Sequence, residues 1–415
     1  MSLVLGFKCV ECGREHQPDT VQYVCPACGG NLDVVYDYRR IAQRVSRPAL
    51  EANRDRTIWR YRALLPIRED SAVPPIPVGG TPVHECSLLA SEYGVARLYL
   101  KDDGRNPTGS FKDRPSSLAV VKARESGARV VTTASSGNAG VALAGMCASM
   151  QMDSVIFVPA SAPPAKLTQL QIYGATLVLV DASYDEAYDL CLEAGQRYGW
   201  YQRSTGYNPY MTEGKKTAAL EIAEQLDWLP PEKVFVAVGD GCIIGGLWKG
   251  FKDLRSLGFI DRVPQLIGVQ AEGSAVIADA VNGDGIVRPG DAQTIADSIC
   301  VGKPRDATKA VRAMRESGGL CIKVSDAQIV AAIVRLAQAS GVFVEPAAAA
   351  AFAGFLALCE KGGIGSGERV LMMLTGTGLK HVDAARPLLH EPIRIAPDIK
   401  ELSKALKGTS RFSAG

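Results

Sequence analysis

At 415 residues the chain has room for about two or three domains around a sizeable core. Hydrophobic residues make up 47% and charged residues 22%, an ordinary globular composition. The formal net charge of +2 gives no reason to expect nucleic acid or a membrane surface as a partner. No charge-free apolar run is long enough to span a bilayer, and Met1–Lys8 lacks the basic-then-apolar order of a signal peptide.

The first pattern is a pair of C-x-x-C knuckles, Cys9–Cys12 and Cys25–Cys28, separated by twelve residues and each followed by glycine. Four thiolates from two tight turns close a tetrahedron around zinc, and the glycines let backbone N–H groups approach the sulfurs. A redox dithiol or a pair of disulfides are the rival readings. A redox C-x-x-C normally opens a helix within a βαβ unit, and neither knuckle does. Structural zinc on Cys9, Cys12, Cys25 and Cys28 is therefore expected, with no open position for catalysis and no need of His16. The seven other cysteines are scattered, which suits a reducing cytoplasm.

The zinc-ribbon-like module is assigned to residues 1–35 and an Arg- and Tyr-rich arm to 36–78. Helical stretches are expected near Arg39–Val45 and Thr57–Leu64, before Pro66, Pro74, Pro75 and Pro77 keep the chain extended. The main body, 79–395, alternates apolar strand runs with helical sequence. Predicted strands are Val95–Lys101, Arg129–Ala134, Ser154–Pro159, Ala175–Val180, Lys233–Val238, Gln265–Gln270 and Arg369–Leu374. Predicted helices include Ala139–Met150, Ala165–Tyr173, Tyr184–Tyr198, Gly214–Gln225 and Asp326–Ser340. Continuous apolar strands between helices indicate parallel sheets covered on both faces, so the fold class is α/β with doubly wound open sheets. A smaller nested domain is placed at about 100–210, and residues 396–415 read as a loose tail.

Asn106–Arg114 forms a turn followed by a helix, with Ser110 as the expected cap and Lys112 at the junction. A lysine that acts as a nucleophile needs desolvation or a neighbouring cation to shed its proton. Three further turns follow predicted strands. Ser135-Ser136-Gly137-Asn138 opens a helix, and so does the run from Gly239, Asp240, Gly241 and Cys242 to Gly245 and Gly246. Glycines behind a helix N-terminus suit a phosphate, although a simple tight turn reads equally well there. Thr375 to Lys380, with Thr377 between, closes the last strand. Glu345, before Pro346, reads most simply as a helix-dipole carboxylate.

From about Gly79 to Lys380 these landmarks resemble the threonine synthase group of fold-type-II pyridoxal-phosphate enzymes. Asn208-Pro209, Glu213–Ala219 and Gly268–Gly273 complete the likeness. The resemblance implies two open-sheet domains with pyridoxal 5'-phosphate in the cleft between them. It implies that Lys112 carries the cofactor as a Schiff base, that Asn138 holds its O3′, and that the Gly239–Gly246 loop holds its phosphate. Thr375, with Thr377 second, would partner the ring nitrogen. Ser135, Ser136, Gly137 and Asn208 would bind an amino-acid substrate. A homodimer is the expected assembly.

The chain departs from the pattern around the phosphate of O-phosphohomoserine. Met211 replaces an arginine, Ala139 a threonine, Thr205-Gly206 an Asn-Ser pair and Pro115 a glycine. Lys215, Lys216 and Arg203 are the basic residues available to compensate. The expected activity is that of a threonine synthase-like lyase. The alternatives are β-elimination or β-replacement as in serine or threonine dehydratases or cysteate synthase, and a non-catalytic interaction protein on an inherited scaffold.

Overall fold

The computed structural model describes residues 3–18, 20, 23–162 and 164–407. The N-terminal module is a small antiparallel sheet in which β1 (Val4–Cys9) pairs with both β2 (Glu15–His16) and β3 (Leu32–Tyr36). The main body holds two further sheets. In the larger, β4 (Val83–Glu85) pairs antiparallel with β5 (Arg97–Asp102) at one edge. The smaller sheet follows in the chain, as β6 (Val130–Ala134), β7 (Asp153–Pro159), β8 (Thr176–Val180) and β9 (Tyr201–Gln202), all parallel, in spatial order β8-β7-β6-β9. The chain then returns to the larger sheet with β10 (Lys233–Ala237), β11 (Gln265–Ala271), β12 (Cys321–Val324) and β13 (Arg369–Leu374). Its order is β12-β11-β10-β13-β5-β4, parallel except at β4.

The continuous apolar strands are explained by burial on both faces. Along β10 and β13, Val234, Val236, Leu371 and Met373 join one core, while Phe235, Ala237, Val370, Met372 and Leu374 join the other. The period-two alternation of a strand thus feeds two apolar layers. The alanine-rich helix Pro346–Glu360 lies on the second layer. Its small residues allow a close approach: a Cβ at Gly354 would fall 2.3 Å from Val269 Cγ2.

Local details differ from expectation. Ser110 does not cap the helix after the lysine loop. That helix is Asp113–Glu125, Lys112 itself holds the capping position, and the Ser110 hydroxyl accepts the Lys112 N–H instead. In the arm, Ile58–Leu64 is a 3-10 helix kinked at Tyr61, and Arg47–Ala52 is an additional helix capped by Ser46. Residues Ile399–Lys407 of the tail are helical rather than loose, because Ile399, Leu402 and Leu406 recur at helical spacing. Positions 408–415 lie outside the described residues.

The N-terminal sheet is fastened to the body. Tyr36 donates to Glu213 at 2.6 Å, and Lys249 and Lys309 donate to the carbonyls of Val34 and Leu32. Among the described residues no helix is long and apolar enough to cross a membrane.

Candidate active site

A cavity of about 600 Å³ is lined by residues that follow β6, β9, β10 and β13, together with Lys112. Parallel sheets present ligand-binding loops at their carboxyl ends, and here both sheets do so toward one space.

Lys112 is held there by backbone ties to the end of β13. Phe111 N–H donates to Thr375 O at 2.9 Å, Ser110 bridges Gly376, and Gly109, at φ +79°, accepts the Thr377 N–H. Only glycine adopts that left-handed conformation without strain. Burial lowers the affinity of the Lys112 amine for its proton, and the nearby charge of Arg203 lowers it further.

The turns predicted for the site meet on this cavity in part. Ser135, Ser136, Gly137 and Asn138 line it, and helix Asn138–Ser149 begins there. No side chain caps that helix, so its first N–H groups remain available to an anion. A Cβ on Gly137 would meet nothing within 4 Å, so this position opens onto free space. The Asn138 amide donates to Glu345 at 2.9 and 3.0 Å, and its oxygen accepts from Lys380 at 2.9 Å. That double anchor fixes the amide's orientation, and Ser298 Oγ accepts a further bond from the amide nitrogen at 3.3 Å. Gly239, Asp240, Gly241 and Cys242 line the opposite wall, where helix Cys242–Ser256 starts behind Gly241 at φ +90°. Thr375 lines the cavity as well.

Four predicted residues lie elsewhere. Gly245 and Gly246 serve helix packing: a Cβ on Gly246 would sit 2.6 Å from Lys215 Cβ, and one on Gly245 3.0 Å from Lys309 Cβ. Asn208 is buried and uses its side chain to anchor the chain, donating to Gln202 O and accepting the Tyr210 N–H. Thr377 caps the short helix Gly378–Lys380 through the Leu379 N–H. Each is a residue type that turns and helix ends also demand, so the sequence alone did not separate the two uses.

Sequence reasoning missed the Tyr184, Tyr188 and Arg305 wall and gave Glu345 only a secondary place. Arg305 pairs with Asp185 at 2.5 Å and lies over the Tyr188 ring, and no motif marks any of these residues. The departures from the pattern are structurally plain. Met211 is in an apolar core and Ala139 lines the cavity without a polar group. Thr205 accepts from Arg203, and Gly206 lets the backbone pass close to Arg305.

At the other end of the chain, the Sγ atoms of Cys9, Cys12, Cys25 and Cys28 all lie within 4.8 Å of one another. Cys9 and Cys28 are 3.5 Å apart and Cys12 and Cys25 3.7 Å, too far for disulfide bonds. Four thiolates at about 2.3 Å from one zinc would be about 3.8 Å apart. His16 reaches Cys25 Sγ through Nε2 at 3.4 Å, as an outer partner.

Residues 76–376 match the family described as pyridoxal-phosphate dependent enzyme. A threonine synthase from Methanocaldococcus jannaschii is 38% identical over 96% of this chain and 99% of its own length. The chain belongs to the threonine synthase family. A second relative, a threonine synthase from Methanosarcina acetivorans, is 37% identical over 97% of this chain and 99% of its own. Family membership makes the chain a pyridoxal-phosphate-dependent lyase and leaves the non-catalytic alternative with less support. The fold agrees. The processed form of threonine deaminase isoform 2 from Solanum lycopersicum superimposes with a TM-score of 0.62 at 23% identity, covering 81% of this chain and 88% of its own. Maize serine racemase does so at 0.64 and 22%, covering 74% and 91%. The donor set suits the family's cofactor: a desolvated amine, an uncapped helix start and a glycine turn opening a second helix, all facing one cavity.

Proposed function

We propose that this chain converts O-phosphohomoserine and water into threonine and phosphate. The observation that carries the reading is the convergence of Lys112, the Ser135–Asn138 turn, the Gly239–Cys242 loop and Thr375 on one cavity. When bound, pyridoxal 5'-phosphate supplies the electron sink that makes protons next to the amino carbon removable. Backbone donors of the Gly239–Cys242 loop and the start of helix Cys242–Ser256 would hold its phosphate, Asn138 its O3′ and Thr375 its ring nitrogen. A neutral hydroxyl at that nitrogen leaves the ring unprotonated and restrains the electron sink, which favours bond changes beyond Cα over reprotonation there.

The Lys112 amine does the proton work. Burial beside Arg203 favours its neutral form, so with the cofactor bound it would take the Cα proton as a base and return protons to the substrate. The Ser135–Asn138 turn would hold the substrate carboxylate by the N–H groups of Ser136 and Asn138, since those of Ser135 and Gly137 already bond to Phe157 O and Ser135 Oγ. Loss of the γ-phosphate and addition of water at Cβ complete the change.

Equimolar phosphate and threonine from O-phosphohomoserine are the expected products. A screen in which phosphoserine, serine or threonine yields a keto acid, while O-phosphohomoserine yields nothing, would replace this reading by β-elimination.

The four-cysteine cluster is read as a structural zinc site, supported by its near-tetrahedral sulfur spacings. About one zinc per chain is expected by elemental analysis, and none after mild purification would overturn it. Eleven free cysteines accord with a reducing cytoplasm and a homodimer remains the proposed assembly, for which sedimentation is the direct check.

A further inference from the structure

The four-cysteine module touches the wall of the cofactor cavity, and one side chain makes the join. In the second knuckle the Gly29 N–H donates to Cys25 O at 2.8 Å and the Cys25 N–H to Gly30 O at 2.9 Å, so the turn closes on itself. Asn31 follows directly. Its backbone bridges Val24, and its carbonyl accepts the Val10 N–H at 2.8 Å, which ties it to both knuckles. Its side chain serves the body instead. The amide nitrogen donates to Arg305 O at 2.7 Å and to Asp306 Oδ1 at 2.9 Å. An amide nitrogen carries two protons, so both are spent on this one dipeptide.

Residues 305 and 306 hold the cavity loop in turn. The Arg305 N–H donates to Asp240 Oδ1 and the Asp306 N–H to Asp240 O, each at 3.0 Å. A Cβ on Gly241 would fall 2.9 Å from Asp306 O, so the glycine turn and the dipeptide are in close contact. Little else places the dipeptide. Between helix Val276–Asn282 and helix Ala307–Glu316 the chain forms only the short 3-10 helix Asp297–Ile299. Asp306 stands at the cap position of the second helix without a side-chain cap bond, which leaves its carboxylate to the Asn31 amide. Lys309 adds a weaker tie, 3.8 Å from the same carboxylate oxygen and 3.1 Å from Leu32 O. Tyr36 fastens the module to a different element, through Glu213 on helix Tyr210–Gln225.

We propose that Asn31 is a positioning residue for the cofactor. It relays the shape of the four-cysteine module through residues 305 and 306 to the Gly239–Cys242 loop, so that metal and cofactor each tighten the binding of the other. This rests on the reading of that loop as the phosphate cradle and of the cysteines as a zinc site. A metal-closed knuckle has one geometry and a metal-free knuckle has many, so Asn31 holds its two acceptors in place only in the closed form. A cradle of backbone N–H groups binds well when those groups are already set at one spot. Such coupling is reciprocal.

The test compares the full chain with its Asn31→Ala and Tyr36→Phe variants. The Kd of pyridoxal 5'-phosphate is read by titrating cofactor-free protein at the absorbance of the bound cofactor, with zinc present and after its removal by a chelator. Asn31→Ala should raise the Kd by about 5- to 50-fold. Tyr36→Phe, which also removes a fastening of the module, should change it by less than about twofold. Zinc removal should weaken cofactor binding about as much as Asn31→Ala does, and should add little in that variant, because the relay is already cut. By the same linkage, cofactor should protect zinc from the chelator more in the wild type than in Asn31→Ala. If Asn31→Ala does not fold, Asn31→Asp, which keeps the size but sets a carboxylate against Asp306, replaces it with the same expectation. An unchanged cofactor Kd in the folded variant overturns the proposal. So does zinc removal that weakens cofactor binding equally in variant and wild type, since the coupling would then bypass Asn31. A wild type that holds no zinc, yet loses cofactor affinity on Asn31→Ala, would sink the zinc reading and leave Asn31 as the positioning residue.

Discussion

Two groups of charged side chains flank the Lys112 turn and could hardly differ more. On one side, Arg114 forms paired bonds to Asp103 at 2.6 and 2.9 Å and to Glu221 at 2.7 Å, while Lys101 donates to Glu221, Gln225 and the Thr81 carbonyl, each at 2.7 Å. Two cations meet two carboxylates, and no donor is left over. On the other side, Lys112, Arg203 and Lys215 face a cavity as three basic groups, and Arg203 Nη2 and Lys215 Nζ have no hydrogen-bond partner. The first group joins β5, the loop after it, helix Asp113–Glu125 and helix Tyr210–Gln225, so it braces the turn that presents the lysine. The second braces nothing. Pairing marks charges that hold the fold, and its absence marks charges that wait for a ligand.

The sharpest way to break this contrast is to remove one charge from each group. Lys112→Ala should lower turnover by at least about 10²–10⁴-fold, the range for loss of a positioned proton carrier. It should also abolish the cofactor's absorbance near the visible edge without lowering Tm. Retained absorbance and activity would remove Lys112 from the centre of the site. Glu221→Gln should do the reverse. It leaves Arg114 and Lys101 short of a counter-charge and should cost about 3–5 kcal/mol in urea unfolding, the range for breaking a buried pair. A loss below about 1 kcal/mol would show that the network is not what secures the lysine turn.

What the sequence revealed follows the same division. The Lys112 turn, the two glycine-bearing turns and the strands behind them were legible because they are local patterns. Backbone freedom, helix starts and apolar runs are written in adjacent residues. Asn208, Thr377, Gly245 and Gly246 were misplaced because capping and close helix packing ask for the same residue types as ligand contact. Lys215 and Lys216 are neighbours of one type, yet one is paired and the other is not. That distinction depends on Glu213, Asp253 and Tyr36 arriving from other elements, and no local reading supplies it.

Acid sharpens the comparison on the paired side. Burial alone would raise the Glu221 carboxyl, but Arg114 and Lys101 outweigh it and hold it down at about 2. A depressed carboxyl contributes stability that is full above its unfolded value near 4.5 and is lost as pH falls toward 2. The contribution is about 3 kcal/mol. Urea midpoints of wild type and Glu221→Gln should therefore converge over that window, and parallel curves would count against the assignment.

Alkali does the same for the unpaired side, with an effect of similar size and opposite sense. Burial pushes the Lys215 ammonium down from 10.5 to about 8, and the charges of Arg203 and Lys112 push the same way. Between those values the unfolded chain holds a proton that the folded chain has released, so stability rises with pH across the interval. Below pH 8 both states are protonated and the fold carries the full cost, about 3 kcal/mol. Cofactor-free protein should then gain stability from pH 8 toward 10, with Lys215→Met already more stable at neutral pH and flatter in its response. Inorganic phosphate at pH 7 should raise the Tm of the wild type more than that of Lys215→Met, because a bound anion removes the cost that the substitution has already removed. Equal phosphate responses in the two proteins would mean that Lys215 is neutralised by something other than an anion in the cavity.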